Sequence, residues 1–246
     1  MSKLINKILH QTRDIYNAIA GDFSSTRGKW WKGFGNFSQY VKPGDSVLDL
    51  GCGNGRMADI FSDSQVSYLG LDNSEELIKI ARKRFENNPK VKFEAGDILD
   101  LHLEKGKYSL VLLIAFLHHI PTKELRLKVL RDVFSCLKPG GRLVMSNWNL
   151  WEIFGSFNYR FRYWKHLFNF FEKGRRGVWS FKDAFVPWKM SSPNWHLRYV
   201  HSFSLGETKK LLRKAGFEVE RINYEKRGEK ASVWNGDLLL SVVVKK

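Results

Sequence analysis

Three acidic residues stand where short apolar runs give way to turns, and their setting suits a nucleoside ligand. Asp49 opens the run Asp49-Leu50-Gly51-Cys52-Gly53-Asn54-Gly55, Asp72 lies in Leu71-Asp72-Asn73, and Asp97 lies in Ala95-Gly96-Asp97-Ile98. Glycines at the carboxyl end of a strand let the backbone turn sharply and approach a ligand without a Cβ in the way. Asp72 follows Gly51 by 21 residues, where a carboxylate can accept hydrogen bonds from both hydroxyls of a ribose. Asp97 and Ile98 offer a carboxylate and an apolar contact of the kind an adenine ring needs. A dinucleotide site would ask for G-x-G-x-x-G, whose last glycine permits tight helix packing. Here the spacing is G-x-G-x-G, and Arg56-Met57 follow where that glycine would sit.

The elements that must position these residues are legible from Ser46 to Trp148. Apolar runs at Ser46–Leu50, Ser67–Leu71, Val91–Ala95, Tyr108–Phe116 and Arg142–Asn147 alternate with helical patterns at Gly55–Phe61, Ser74–Phe85 and Thr122–Leu137. That alternation predicts parallel βαβ units. Asn73 as N-cap with Glu76 three residues on predicts a capping box. The third helix is expected to start after Pro121, and Pro139-Gly140-Gly141 prevents it from continuing. Met1 to Ala20 spaces Leu4, Ile5, Ile8, Leu9, Ile15, Tyr16 and Ile19 on one helical face, without the continuous apolar stretch of a secretory signal. Near the carboxyl end a helix is expected at Leu205–Ala215, stopped by Gly216, then strands at Phe217–Glu225 and Asp237–Val244 as an antiparallel hairpin at the sheet edge.

Between Trp151 and Tyr199 this rhythm breaks. The stretch holds 16 of the 35 aromatic residues. They are interleaved with Arg160, Arg162, Lys165, Lys173, Arg175, Arg176, Lys182, Lys189 and Arg198, against only Glu152, Glu172 and Asp183. It is too short to fold well alone and reads as an insertion or lid. The chain is therefore expected to be one domain: a helical cap at 1–45, a core at 46–148, the insertion at 149–203, and a closing helix and hairpin at 204–246. The net charge is +16, from 41 Lys+Arg against 25 Asp+Glu. Such a field concentrates polyanions, nucleic acid first and an anionic membrane surface next, though a solubilising charge excess remains open. No run reaches the roughly 18 apolar residues of a membrane span. Cys52 and Cys136 are the only cysteines, which gives neither a disulfide framework nor metal-ligand spacing and points to a reducing cytoplasm.

The glycine turn with Asp49, the other two acidic strand ends and the closing hairpin resemble the class I S-adenosylmethionine (SAM)-dependent methyltransferases. That resemblance implies an α/β Rossmann-like fold: a mostly parallel seven-stranded sheet with a C-terminal antiparallel hairpin. It also implies a SAM site built from Asp49, Gly51, Cys52, Gly53, Asn54, Asp72, Asn73, Asp97, Ile98 and Ile114. In that family the positions of Asp49, Gly51 and Gly53 hold the methionine part, Asp72 the ribose, and Asp97-Ile98 the adenine.

Three further segments narrow the resemblance. They are Tyr16-Asn17-Ala18-Ile19-Ala20 with Phe23-Ser24-Ser25-Thr26-Arg27 and Trp30; Ile114-Ala115-Phe116-Leu117-His118-His119; and Val186-Pro187-Trp188 with Arg198-Tyr199-Val200-His201-Ser202-Phe203. Together they look like the methyltransferases that esterify a carboxymethyl group on the wobble uridine of tRNA, over about residues 14 to 218. That chemistry needs no general base, because a carboxylate is already ionised at neutral pH. It needs donors that orient an anion, and the resemblance implies Arg27, His118, Arg198 and His201 for that role. A hydroxyl or ring-nitrogen acceptor would instead require His118 or His119 as a base.

Duller roles remain open for each residue. Arg27 could pair with an acidic neighbour, Tyr16 and Trp30 could be core, and His119 reads best as a packing histidine. His201 and Arg198 could fix the insertion to the core. The insertion's cations and aromatics suit the tRNA anticodon loop, although most of its phenylalanines are expected to form its own core. Asn17 stands where the family usually carries Asp, Trp31 where a Pro usually follows, and Ala231–Leu240 lacks the usual ending. Eukaryotic members work with a small zinc-binding activator subunit, and this altered ending leaves an independent enzyme open. A methyltransferase of a small acidic metabolite and a non-catalytic RNA-binding protein are the rival readings.

Overall fold

Burial on both faces turns the five apolar runs into neighbouring parallel strands. In the computed structural model, residues 3–27, 32–62, 64–151, 180, 182–189 and 195–246 are described. The runs form β1 (Ser46–Leu50), β2 (Ser67–Asp72), β3 (Val91–Ala95), β4 (Tyr108–Ile114) and β5 (Leu137–Trp148). Three strands follow near the carboxyl end: β8 (Glu218–Lys226), β9 (Glu229–Ala231) and β10 (Leu238–Val244). Their order is β3-β2-β1-β4-β5-β10-β8-β9, with β10 antiparallel to both β5 and β8. The chain winds outward from β1 to β3, then returns to β4 on the other side of β1. That reversal opens a crevice at the carboxyl ends of the central strands, where open α/β sheets bind ligands.

The sheet has eight strands where seven were expected. The extra one is β9, because Arg227 and Gly228 both take positive φ, +53° and +92°, and form a two-residue hairpin turn. The turn brings Ala231 back opposite Tyr224. The remaining strand and helix ends fall within a few residues of expectation, except that β5 begins earlier, at Leu137.

Helices cover the sheet: α1 (Lys3–Ala18), α2 (Ala20–Thr26), α3 (Glu75–Arg84), α4 (Lys123–Cys136) and α5 (Leu205–Ala215), with 3-10 segments at Lys32–Tyr40, Arg56–Phe61 and Leu117–His119. The expected α-helix after the glycine turn is thus a 3-10 segment, which starts from a left-handed Gly55 without a side-chain cap. The single N-terminal helix is also two, divided at Ile19. The capping box at Asn73 does not form. Ser74 is the N-cap, accepting from Leu77 N at 3.3 Å. Asp72 Oδ1 accepts the Ser74 N–H at 2.9 Å. Asn17 Oδ1 accepts from Ser74 Oγ at 2.7 Å and from Glu76 N at 3.3 Å. The helix therefore starts one residue late, and α1 is tied across its first turn.

Within the insertion, β6 (Asp183–Lys189) and β7 (Trp195–His201) form a separate antiparallel hairpin. Phe154, Phe157, Phe161, Phe168, Phe170, Phe171 and the cations from Arg160 to Arg176 lie outside the described residues, as do Trp30 and Trp31. A buried polar network attaches the hairpin to the core. His201 reaches Asp183 Oδ1 through Nδ1 at 2.6 Å and Glu207 Oε1 through Nε2 at 2.9 Å. Tyr199 donates to Asp183 Oδ1 at 2.7 Å, and Arg126 donates to Tyr199 Oη at 2.8 Å and to the Ile120 carbonyl. Burial raises the Glu207 carboxyl, but hydrogen bonds from His201 and Lys182 outweigh it and hold Glu207 down at about 2. Removing one member of such a network leaves its partners buried and unpaired, at about 3–5 kcal/mol. Asp183→Ala is therefore expected to lower the thermal midpoint by on the order of 10 °C. A change within two degrees in a thermal melt would show that the network does not hold the hairpin.

Candidate functional site

The crevice is a cavity whose floor is the glycine turn. Gly51 has φ +77°, and a Cβ there would run into the Phe116 ring. Gly53 and Gly55 also take positive φ, +56° and +75°. The turn is stitched to β2: Gly51 N donates to Leu71 O at 2.8 Å, and Gly53 N donates to Asp72 Oδ2 at 2.9 Å. Gly51→Ala is both strained and obstructed. It is expected to weaken cofactor binding at least about tenfold, measured by calorimetry; an unchanged affinity would mean the turn is not the floor of the site.

All ten expected cofactor residues line this one cavity: Asp49, Gly51, Cys52, Gly53, Asn54, Asp72, Asn73, Asp97, Ile98 and Ile114. Asp49 is fully buried and accepts from Tyr68 Oη at 2.5 Å. Burial pushes its carboxyl up to about 7; the Tyr68 hydroxyl opposes this and Asp72 adds to it. Burial likewise raises Asp72, against hydrogen bonds from the backbone of Ser74, Gly53 and Asn73. Asp49 Oδ1 and Asn54 Oδ1 are buried acceptors without a partner. Buried acceptors call for donors, and the ammonium of an amino-acid-bearing ligand supplies them. The residues present therefore fit SAM. Asp49 and Asn54 would hold its methionine end, Asp72 its ribose and Asp97-Ile98 its adenine. Cys52 is a small wall residue whose thiol is pushed up by burial.

The rest of the lining is aromatic and cationic: Tyr16, Phe23, Arg27, Arg56, Phe116, His119 and Trp148, with Trp188 and Arg198 packed behind it rather than lining it. The Arg27 guanidinium lies 4.5 Å from the Trp188 ring centre and 5.2 Å from that of Phe23. Arg198 is buried, 4.7 Å from Trp188, 4.8 Å from Trp148 and 5.8 Å from Tyr16. Two guanidiniums thus share the Trp188 ring, and burial followed by repulsion from Arg198 lowers the Arg27 pKa. Arg198 Nε and Trp188 Nε1 are buried donors without a partner.

The histidines are placed differently from expectation. His119, read as a packing residue, lines the cavity, whereas His118 does not. His118 lies beside it, rings 4.3 Å apart, fully buried. Burial first, then the neighbouring His119, holds His118 well below the usual histidine range. Burial and Arg198 push His119 down to about 3. Neither histidine therefore serves as a cationic donor at neutral pH. Both His119 nitrogens are engaged. Nδ1 must donate to the Tyr199 carbonyl at 2.8 Å, so Nε2 accepts from Tyr16 Oη at 2.9 Å. Tyr16 Oη in turn accepts from Arg198 Nη1 at 3.3 Å. His201 belongs to the network beneath the hairpin and does not line the cavity. Sequence reasoning missed Trp148 and Arg56 as lining residues, and Trp188 as the ring behind Arg27. Trp188 lies within a quoted segment, and its spacing gave no sign that two cations would meet on it.

Residues 25–222 match the methyltransferase domain family. The chain is 35% identical over 176 residues to a Saccharomyces cerevisiae tRNA (carboxymethyluridine(34)-5-O)-methyltransferase, covering 71% of this chain and 54% of that protein. It is 34% identical over 138 residues to the Xenopus tropicalis protein of that description, alkbh8, covering 55% of this chain and 20% of that one. The chain thus spans between about a fifth and about half of the length of these relatives. A SAM-dependent methyltransferase from Methanosarcina mazei shares the fold at a TM-score of 0.66 and 20% identity, over 84% of this chain and 95% of that one. So does a structure of the Haloferax volcanii Trm112 methyltransferase activator with its putative methyltransferase, at a TM-score of 0.63 and 19% identity, over 95% and 96%. With ten strand-end and turn residues lining one cavity on this fold and the domain match over residues 25–222, the chain belongs to the SAM-dependent methyltransferases of the methyltransferase domain family.

Proposed function

We propose that this SAM-dependent methyltransferase esterifies a carboxylate, the carboxymethyl-type group on the wobble uridine of tRNA. The observation that carries the reading is Arg27, which lines the cavity among Tyr16, Phe23 and Trp148, with Arg198 stacked behind it across the Trp188 ring. A guanidinium on an aromatic wall, with a second cation buried behind it, makes a receptor for an anion. The names of the relatives favour the same acceptor.

SAM, when bound, supplies a methyl group on a sulfonium: the carboxylate oxygen gains the methyl as the sulfur–methyl bond breaks. The work of this chain is to align and to exclude water. Arg27 orients the carboxylate, with Arg198 holding Tyr16 and Trp188 behind it, and proper alignment alone supplies several kcal/mol of rate. Tyr16, Phe23, Phe116 and Trp148 give the site apolar walls, which strengthen the attraction between guanidinium and carboxylate. His119 is locked between Tyr16 and Tyr199 and is assigned no proton-transfer role. A carboxylate acceptor needs none. His118 and His201 act behind the wall, as supports.

The test is nucleoside mass spectrometry of tRNA incubated with the protein and labelled SAM. One added methyl on a carboxymethylated wobble uridine is expected. Equal turnover of small acidic metabolites with tRNA ignored would overturn the RNA reading. Because a partner of the Trm112 activator shares this fold, the chain belongs in that assay both alone and with such an activator. Among the described residues no helix is long and apolar enough to cross a membrane.

A further inference from the structure

We propose that Trp234 is a stacking platform for an unpaired nucleobase of the RNA substrate, next to the nucleotide that is methylated. The inference rests on the tRNA reading and deepens it. Trp234 is 61% exposed, and no other large apolar side chain among the described residues is comparably exposed. Leaving so large a ring in water forgoes about 1.5–3 kcal/mol of burial, so looseness of its loop is the first alternative to consider.

The loop is not loose. Asn149, itself buried, donates to the Val233 and Gly236 carbonyls, both at 2.8 Å. Gly236 N donates to the Ser232 carbonyl at 2.9 Å, and Asn235 Oδ1 accepts from both Ser232 N and Ser232 Oγ at 2.8 Å. Asp237 N donates to the Glu225 carbonyl at 2.8 Å. The backbone is held in place while the indole is left outside, so a ligand meets a ring whose loop needs no further ordering.

The place of the loop in the fold ties it to the site. Leu238, four residues on, pairs with Trp148 in the sheet, and both residues line the cofactor cavity. The loop therefore rises from the same edge of the sheet as the crevice. Next to it the β8–β9 turn exposes Arg227 and Lys230, with Glu229 between them. An aromatic face beside cations is the arrangement that grips single-stranded nucleic acid, the ring taking a base and the cations the phosphates. A protein partner would call for an apolar patch around the tryptophan. Beside it in the loop, Ser232 and Asn235 are instead polar and exposed, and Val233 is turned partly into the core.

The test compares wild type with Trp234→Ala and Trp234→Phe on an anticodon stem-loop RNA. Stacking of one base on an aromatic ring is worth roughly a 5- to 150-fold change in affinity. Trp234→Ala is expected to raise KM for the RNA about tenfold or more, with kcat and SAM affinity unchanged, and Trp234→Phe to recover most of the loss. If wild type methylates the RNA and Trp234→Ala has the same KM, this inference fails and the tRNA reading stands. If wild type neither binds nor methylates RNA, both fail. If Trp234→Ala alters only the response to an added activator protein, the ring is a protein contact and the inference is overturned.

Discussion

Arg27→Ala and Arg198→Lys are each expected to lower methyl transfer about 100-fold while leaving SAM affinity within about twofold. The magnitude is that of a reactant displaced by about an ångström from a productive pose. The split between turnover and affinity follows from the geometry. The ten residues that would hold SAM lie on the strand ends and the glycine turn, whereas Arg27 follows α2 and Arg198, behind it, lies on β7. Lysine at 198 keeps the charge but loses the planar fork and the Nε donor, so this substitution is not conservative at a stacked site. Single-turnover rates and calorimetry on the same preparations give both quantities, and a thermal melt guards against loss of the fold. A parallel fall of SAM affinity and turnover would remove the guanidiniums from substrate positioning.

The second large effect is at Asp49, where function and stability are expected to move in opposite directions. Its carboxyl lies at about 7 in the folded, ligand-free chain, against an ordinary value of 3.8. The fold favours the neutral form, so the stability Asp49 contributes is present below pH 3.8 and is lost as pH rises toward 7. Asp49→Asn carries no charge at any pH and is expected to raise the thermal midpoint of the ligand-free protein at pH 8 by several degrees. The same change removes the carboxylate that would pair with the methionine ammonium. SAM affinity at pH 8 should then fall about 100-fold, on the scale of a lost charged contact. Wild-type affinity should weaken about tenfold for each pH unit below 7 as Asp49 is protonated, whereas that of Asp49→Asn should not. A wild-type affinity flat between pH 5.5 and 8 would contradict this assignment.

That the ten strand-end and turn residues share one cavity was legible in the sequence because the pattern is local. A strand end, a glycine turn and an acidic residue each reside in a few consecutive positions, and parallel topology brings such ends to one edge. The substrate half was not, because its parts come from α1, α2, β5, β6 and β7. Trp188 and Arg198 are ten residues apart in sequence and meet Arg27 only through the β6–β7 hairpin. His118 and His119 could not be told apart by pattern, since a 3-10 turn decides which ring faces the cavity. His201 read as a substrate ligand because its two carboxylate partners, Asp183 and Glu207, are invisible as partners until the hairpin folds. The extra edge strand was missed for a smaller reason: Arg227, a non-glycine residue, takes positive φ beside Gly228.

The identity of the bond that is formed tests the central claim most directly. After tRNA has been labelled from methyl-labelled SAM and purified, mild alkali should release the label as volatile methanol, as a methyl ester requires. Arg27→Ala should reduce the volatile counts formed in a fixed time about 100-fold, with their share of the total unchanged. Label that stays on the nucleoside through alkali would show an ether or N-methyl product, and the carboxylate receptor built on Arg27, Arg198 and Trp188 would then be wrong.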